Sequence, residues 1–396
     1  MILSDRINAL SESQTIAMAR KSRDLIAQGV DLISLSLGEP DFPTPTPVKE
    51  AAKKAIDDNF SHYTHVSGYL ELRQSVANKL KRDNGLDYTA DQIVVSTGAK
   101  QCIANAVLCL INPGDEVIVP SPYWVSYLEI VKLAEGKTVV APTTLENNFK
   151  LLPAQLKAAI TPKTRMIIFS SPCNPTGSVY SREELKALAE VIIQYPELYI
   201  LSDEIYEDIN FIGKHESIAQ FDFIKERVIL VNGVSKGFAM TGWRGGYLAA
   251  PLWIAKACDK MQGQFTSATC SITQKAMQKA MELPQGSTEL MREAFQKRRD
   301  LVFALMQEIP GIKLNKPDGA FYLYPEVSFY FGKSYGTTTI QNGTDLSLYL
   351  VEKAHVSVVP GAAFGNDHYI RISYATSEEK LKEAMKRIKN ALQELN

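Results

Sequence analysis

The sequence predicts an α/β protein in two parts: a large domain with a mostly parallel sheet covered by helices, plus a smaller α/β domain. Three observations carry this. First, β-branched runs of strand length alternate with helix-length stretches from about residue 93 to about residue 250, as in a sheet covered on both faces. Second, the chain is chiefly helical from there to about residue 308 and then returns to strands. Third, 396 residues with 45% apolar composition can bury a large core and suit two domains better than one. The expected division is residues 46–285 for the large domain, with 1–45 and 286–396 forming the small one.

Taken in order, residues 12–29 read as a helix leading to a short apolar strand at 32–35. The proline-rich break from Gly38 to Pro47 stiffens the chain and marks a crossing between domains, where a hinge could sit. Helices are expected near 48–60 and 68–84. Strands follow at 93–95, 116–119, 137–140, 165–169, 198–201, 228–231 and 247–249. One intervening helix is opened by a capping box, Ser181 with Glu184. The small domain should hold strands at 321–324, 356–359 and 369–373 and close on a helix begun by Thr376-Ser377-Glu378-Glu379.

Composition narrows the function. With 43 basic and 44 acidic residues, the net charge of −1 gives no broad attraction to nucleic acid or membrane. There is no signal-peptide pattern and no uncharged apolar run of spanning length, so a cytoplasmic location is expected. The five cysteines are scattered without a C-x-x-C pair, and the five histidines form no ligand motif, so neither a disulfide framework nor a catalytic metal is expected. A small-molecule enzyme remains.

The chemistry centres on Val228–Tyr247. A β-branched strand delivers Gly233-Val234-Ser235-Lys236-Gly237, and a glycine-rich turn carrying Arg244 follows. A lysine in a dry pocket beside other cations loses its proton and attacks carbonyls, forming a Schiff base, the use made of it by pyridoxal phosphate. Two other readings stand at this point. Lys236 could be a surface lysine, or Gly233–Gly237 could be the G-x-S-x-G nucleophile elbow of a hydrolase with Ser235 as nucleophile.

Other polar groups fall at strand ends. Ser96-Thr97-Gly98-Ala99-Lys100 lies between a strand and a helix, where backbone N–H groups can hold a phosphate. Trp124 could stack on a flat cofactor or serve the core. Asn174, in the rigid turn Asn174-Pro175-Thr176-Gly177, could donate to a phenolate oxygen. Asp203 ends a strand three residues before Tyr206, and an aspartate beside a pyridinium nitrogen keeps that ring an electron sink. Glu135-Gly136-Lys137-Thr138 and Phe331-Gly332-Lys333-Ser334 lack the upstream glycine of a P-loop.

Together and in this order, Asn174-Pro175-Thr176-Gly177, Ser202-Asp203-Glu204-Ile205-Tyr206, Ser235-Lys236 with Arg244, and Tyr369-Ile370-Arg371-Ile372-Ser373 resemble the class I aminotransferases, pyridoxal-phosphate enzymes of fold type I. The resemblance runs nearly end to end. It implies Lys236 as Schiff-base lysine and general base, Asp203 on the pyridine nitrogen, Tyr206 and Asn174 on the phenolic oxygen, and Trp124 on the ring. It also implies that Ser235, Arg244 and the backbone at Gly98, Ala99 and Lys100 hold the phosphate. Tyr63 would reach in from a second subunit of a homodimer with shared sites. Arg371 would clamp the substrate α-carboxylate, helped by Asn174, Trp124 and the Gly38 backbone.

In the best-known aspartate aminotransferases a neighbouring-subunit arginine grips the distal carboxylate. The corresponding stretch here, Gln264–Thr269, has none. Ser13-Gln14-Thr15, Gly98-Ala99-Lys100-Gln101 and Pro122-Tyr123-Trp124-Val125-Ser126-Tyr127 look more like the bacterial subgroup 1β enzymes, which implies Lys100 and Thr15 as the groups favouring acidic substrates. The expected activity is ping-pong amino transfer from L-aspartate to 2-oxoglutarate, extending to prephenate. The alternatives on the same scaffold are an aromatic, kynurenine or alanine aminotransferase or a C–S β-lyase. A non-catalytic regulator with this fold would need an added basic DNA-binding region, for which the N-terminal helix is too short.

Overall fold

The computed structural model describes residues 3–12, 14–284 and 286–396, with the side chain of Thr15 outside that description. The central sheet has seven strands in the order Ile93–Ser96, Gly246–Ala249, Val228–Gly233, Tyr199–Asp203, Thr164–Ser170, Glu116–Ser121, Lys137–Pro142. All seven are the strands expected from the sequence. Gly246–Ala249 runs antiparallel to both of its neighbours, and the other pairings are parallel.

Period-two packing explains why these runs are so continuously apolar. Ile167, Ile200 and Leu230 face one core, where Thr46–Asp57, Leu70–Lys79, Arg182–Ile192 and Ser271–Glu282 lie. Met166, Ile168, Ile229 and Val231 face the opposite core under Ala99–Leu110, Ser126–Leu133 and Leu252–Phe265. A strand with helices on both sides has no wet face. The capping box opening Arg182–Ile192 forms as expected: Ser181 Oγ accepts from Glu184 N at 3.2 Å, and Ser181 N donates to Glu184 Oε2 at 2.7 Å.

The C-terminal region packs Glu289–Gln307 and Glu378–Gln393 against a three-stranded antiparallel sheet, Val359–Pro360, Ile370–Ser373 and Tyr322–Leu323. Ser377 caps the last helix. Three details depart from the sequence reading. The strand expected over 356–359 is two: Val356–Ser357 pairs in parallel with Ile33–Ser34, whereas Val359–Pro360 turns to pair with Ile370 and Arg371. The helix expected over 68–84 is α-helical only to Lys79 and ends in a π turn, Leu80–Asn84, closed by Gly85 at φ +71°. A hairpin of Ser334–Tyr335 with Thr338–Thr339 had no alternating apolar pattern to announce it. Among the described residues no helix is long and apolar enough to cross a membrane.

A buried charged cluster ties the helical cover to the sheet. The Lys79 ammonium donates to Glu207, whose other oxygen accepts from Asn232 Nδ2 at 2.5 Å. Glu204 accepts from Ser202, Ser217 and His215 at 2.9, 2.6 and 2.9 Å. Glu204, Glu207 and His215 lie close enough to suggest a metal site, but Lys79 supplies the positive charge there. Burial pushes the Glu207 carboxyl up, yet Lys79 outweighs it and holds the group below its ordinary range. Removing one partner of such a pair strands the other, so Lys79→Met should cost about 3–5 kcal/mol. Adding Glu207→Gln should recover most of that in urea unfolding at fixed protein concentration.

Candidate active site

Beyond the carboxyl ends of the parallel strands lies a cleft of about 600 Å³. Four strand ends supply it: Ala99 and Lys100 after Ile93–Ser96, Asn174 after Thr164–Ser170, Asp203 ending Tyr199–Asp203, and Ser235 with Lys236 after Val228–Gly233. Trp124, Tyr206, Arg244, Arg371 and Gly38 of the expected set also stand on its walls. Gly98 stands just outside, against Arg244.

The Lys236 Nζ donates to the Gly38 carbonyl and lies 5.8 Å from the Tyr206 ring and 5.9 Å from that of Phe321. Desolvation, then the Arg371 guanidinium, press its pKa down to about 8 against the pull of Glu39. Gly237, the next residue, has no room for a side chain, since a Cβ there would come within 1.9 Å of Asp208 Oδ2. The lysine is therefore presented by a turn pressed against its own support.

Asp203 is buried and accepts from Tyr127 Oη at 2.7 Å. Burial raises its carboxyl to about 6, and the Tyr127 hydrogen bond opposes that rise. Tyr206 shares a hydroxyl contact of 2.8 Å with Tyr322. The Trp124 ring stands edge-on to Tyr127 at 5.4 Å, with the Lys100 ammonium 5.0 Å from its centre.

Arg371 is 3% exposed and is held from two sides. Its Nη1 donates to Asn174 Oδ1 at 3.0 Å and its Nη2 to the Ser36 carbonyl at 2.8 Å. Its Nε is buried and has no hydrogen-bond partner among the described residues. The residue lines the cleft, and each Nη keeps a second N–H beyond the bond it makes to Asn174 or Ser36, so the guanidinium is made for an anion.

A second anion position lies at the start of Ala99–Leu110. Gly98 caps that helix at φ +85°, and a Cβ there would meet Arg244 Nη2 at 2.4 Å, so only glycine lets the guanidinium approach. Arg244 adopts φ +57° and donates to the Thr241 and Thr97 carbonyls at 2.9 and 3.3 Å. Helix amides, Arg244 and the Ser235 hydroxyl together suit a phosphate.

Tyr63 stands apart from the cleft, 99% exposed, and Thr15 has its side chain outside the described residues. Sequence reasoning missed Tyr127, Tyr322 and Ser36 as supporting groups. Tyr127 was legible three residues after Trp124, whereas Tyr322 and Ser36 come from distant segments with no local signal. No histidine is among the described residues lining the cleft. Ser235 thus lacks the base a nucleophile elbow needs, and the hydrolase reading falls.

The profile of the aminotransferase class I and II family matches residues 30–388. The chain belongs to that family. This aminotransferase is 46% identical over 396 residues to the aspartate/prephenate aminotransferase of Cereibacter sphaeroides, covering 98% of this chain and 97% of the relative. Its fold superposes on the aspartate aminotransferase of Rhizobium meliloti with a TM-score of 0.97 at 42% identity, covering 100% of both chains. The aspartate aminotransferase of Thermus thermophilus with maleate gives 0.93 at 40% identity, covering 99% of this chain and 100% of that one. The fit to the family's pyridoxal phosphate rests on this chain's own groups: a lysine with lowered pKa, a buried carboxylate and a phosphate cradle in one cleft.

Proposed function

We propose that this aminotransferase moves the amino group of L-aspartate to 2-oxoglutarate and also serves prephenate, with pyridoxal phosphate held in the cleft. The carrying observation is Arg371, which lines the same cleft as Lys236 and is held in place by Asn174 and the Ser36 carbonyl, a ready α-carboxylate fork. The Lys100 ammonium, over Trp124 in the same cleft, offers a second cation for a distal carboxylate. The named substrates of the relatives, aspartate and prephenate, both carry two carboxylates, as does the maleate of the Thermus thermophilus enzyme.

In this reading pyridoxal phosphate, when bound, supplies an electron sink conjugated to the substrate Cα. Lys236 takes the Cα proton, and Asp203 holds the pyridine nitrogen protonated. Tyr206 and Asn174 donate to the phenolic oxygen, Asn174 through the amide nitrogen that Arg371 leaves free. Trp124 stacks on the ring. Ser235, Arg244 and the amides of Gly98, Ala99 and Lys100 hold the phosphate. The Gly38 backbone and Arg371 orient the substrate, and Thr15 joins Lys100 at its distal end. Tyr63 reaches the phosphate of a second subunit, making the working unit a homodimer. Residues 46–285 act as the cofactor domain, with 1–45 and 286–396 as the small domain.

Lys100→Ala tests the substrate assignment. Losing a charged contact should raise KM for aspartate and 2-oxoglutarate roughly 10–100-fold. Half-reactions with alanine or phenylalanine, followed by the cofactor absorbance, should hardly change. Equal effects on acidic and neutral amino acids would remove the dicarboxylate assignment and favour the aromatic, alanine or lyase readings.

A further inference from the structure

The loop that carries Tyr63 is open at its tip and fixed at its roots. Ser271 Oγ donates to the Phe60 carbonyl, and Gln274, fully buried, donates to Thr64 Oγ1 at 2.9 Å and accepts from Tyr69 N at 2.8 Å. Gln262 is equally buried, and it uses all four of its hydrogen-bonding positions. Its Nε2 donates to the Val66 and Val95 carbonyls at 2.8 Å each, and its Oε1 accepts from Ser96 Oγ at 2.6 Å and Asn105 Nδ2 at 3.1 Å.

Those four contacts join three segments. Val66 lies three residues beyond Tyr63. Val95 and Ser96 end the strand that runs directly into Thr97-Gly98-Ala99, and Asn105 sits on the helix whose first amides form the phosphate cradle. The Val95 amide also donates to the Ser67 carbonyl at 3.0 Å, so the loop is stitched to the strand directly as well, one residue beyond the glutamine contact. A solvent-exposed tyrosine rooted this firmly is pre-organised for something outside its own subunit.

We infer that Gln262 is a positioning residue that sets the Tyr63 loop in register with the phosphate turn of its own subunit. One buried amide then fixes both the cradle a subunit keeps and the tyrosine it lends. This rests on the proposal that Tyr63 contacts the phosphate in a homodimer.

The test is a double-mutant cycle on the full-length protein with pyridoxal phosphate as probe, its dissociation constant read from absorbance titrations. Tyr63→Phe and Gln262→Met are each expected to weaken binding about tenfold. The double variant should be only about 10–20-fold weaker, because a loop out of place has no tyrosine contact left to lose. A purely structural glutamine would give the full product, near 100-fold, and that result, or unchanged binding in Gln262→Met, overturns the inference. Tyr63→Phe with parental affinity would instead remove the cross-subunit reading on which it stands. If Gln262→Met does not fold, Ser96→Ala in the same cycle removes one of the four contacts and should couple to Tyr63→Phe in the same sense.

Discussion

Lys236→Ala is expected to lower turnover by roughly 10⁴-fold or more, since the residue serves both as nucleophile toward the cofactor carbonyl and as base at the substrate Cα. The alanine leaves the rest of the cleft standing: Arg371 keeps its contacts to Asn174 and Ser36, and Asp203 keeps Tyr127. Cofactor should therefore still bind through the phosphate cradle, and a primary amine such as methylamine should restore part of the proton transfer. The pKa of about 8 adds a pH signature. Only the unprotonated amine attacks a carbonyl, so cofactor capture by the apo-protein should slow about tenfold per pH unit below 8 and level off above it. Arg371→Leu removes the largest charge pressing on the amine, so its profile should shift to higher pH. A capture rate flat from pH 6 to 9, or an alanine variant of near-parental turnover, would remove Lys236 from the chemistry.

How far the site was legible depended on whether its parts were local. Asn174, Asp203, Ser235 and Lys236 each lie at or within a few residues of the carboxyl end of an apolar strand, and a parallel sheet places its carboxyl ends along one edge, so the sequence order already assembled them. Arg371 is different. It reaches the cleft from Ile370–Ser373, a strand of another sheet, and only the family resemblance pointed to it. Ser36 and Tyr322, which orient Arg371 and Tyr206, come from short segments whose position follows from tertiary packing alone. The split at Val358 was hidden for the same reason. Four consecutive β-rich residues look like one strand, and nothing local says that the first two pair with Ile33–Ser34 and the next with Ile370–Ser373.

Asp203→Asn should separate function from stability in a way a structural aspartate would not. The amide keeps the shape and can still meet Tyr127, but it cannot hold a proton on the cofactor's ring nitrogen, so turnover should fall on the order of 10³-fold. Stability should move the other way. The Asp203 pKa in the folded chain, about 6, lies above the ordinary 3.8, so the native state holds this proton more tightly than the unfolded chain. Stability from this group therefore declines as pH rises from about 4 to about 6, and above that the parent carries a buried, poorly solvated carboxylate. Asparagine never ionises. The apo-variant should thus melt at or above the parental temperature at pH 7.5 and lose that advantage at pH 4. Cofactor should narrow the gap by giving the parent's carboxylate a cationic partner. Tyr127→Phe, which takes away the 2.7 Å hydrogen bond and leaves the carboxylate, should cost less than about tenfold in turnover. An asparagine variant that melts well below the parent at pH 7.5 would mean that Asp203 serves the fold through a network stronger than its burial implies, and the loss of turnover would then say nothing about the ring nitrogen.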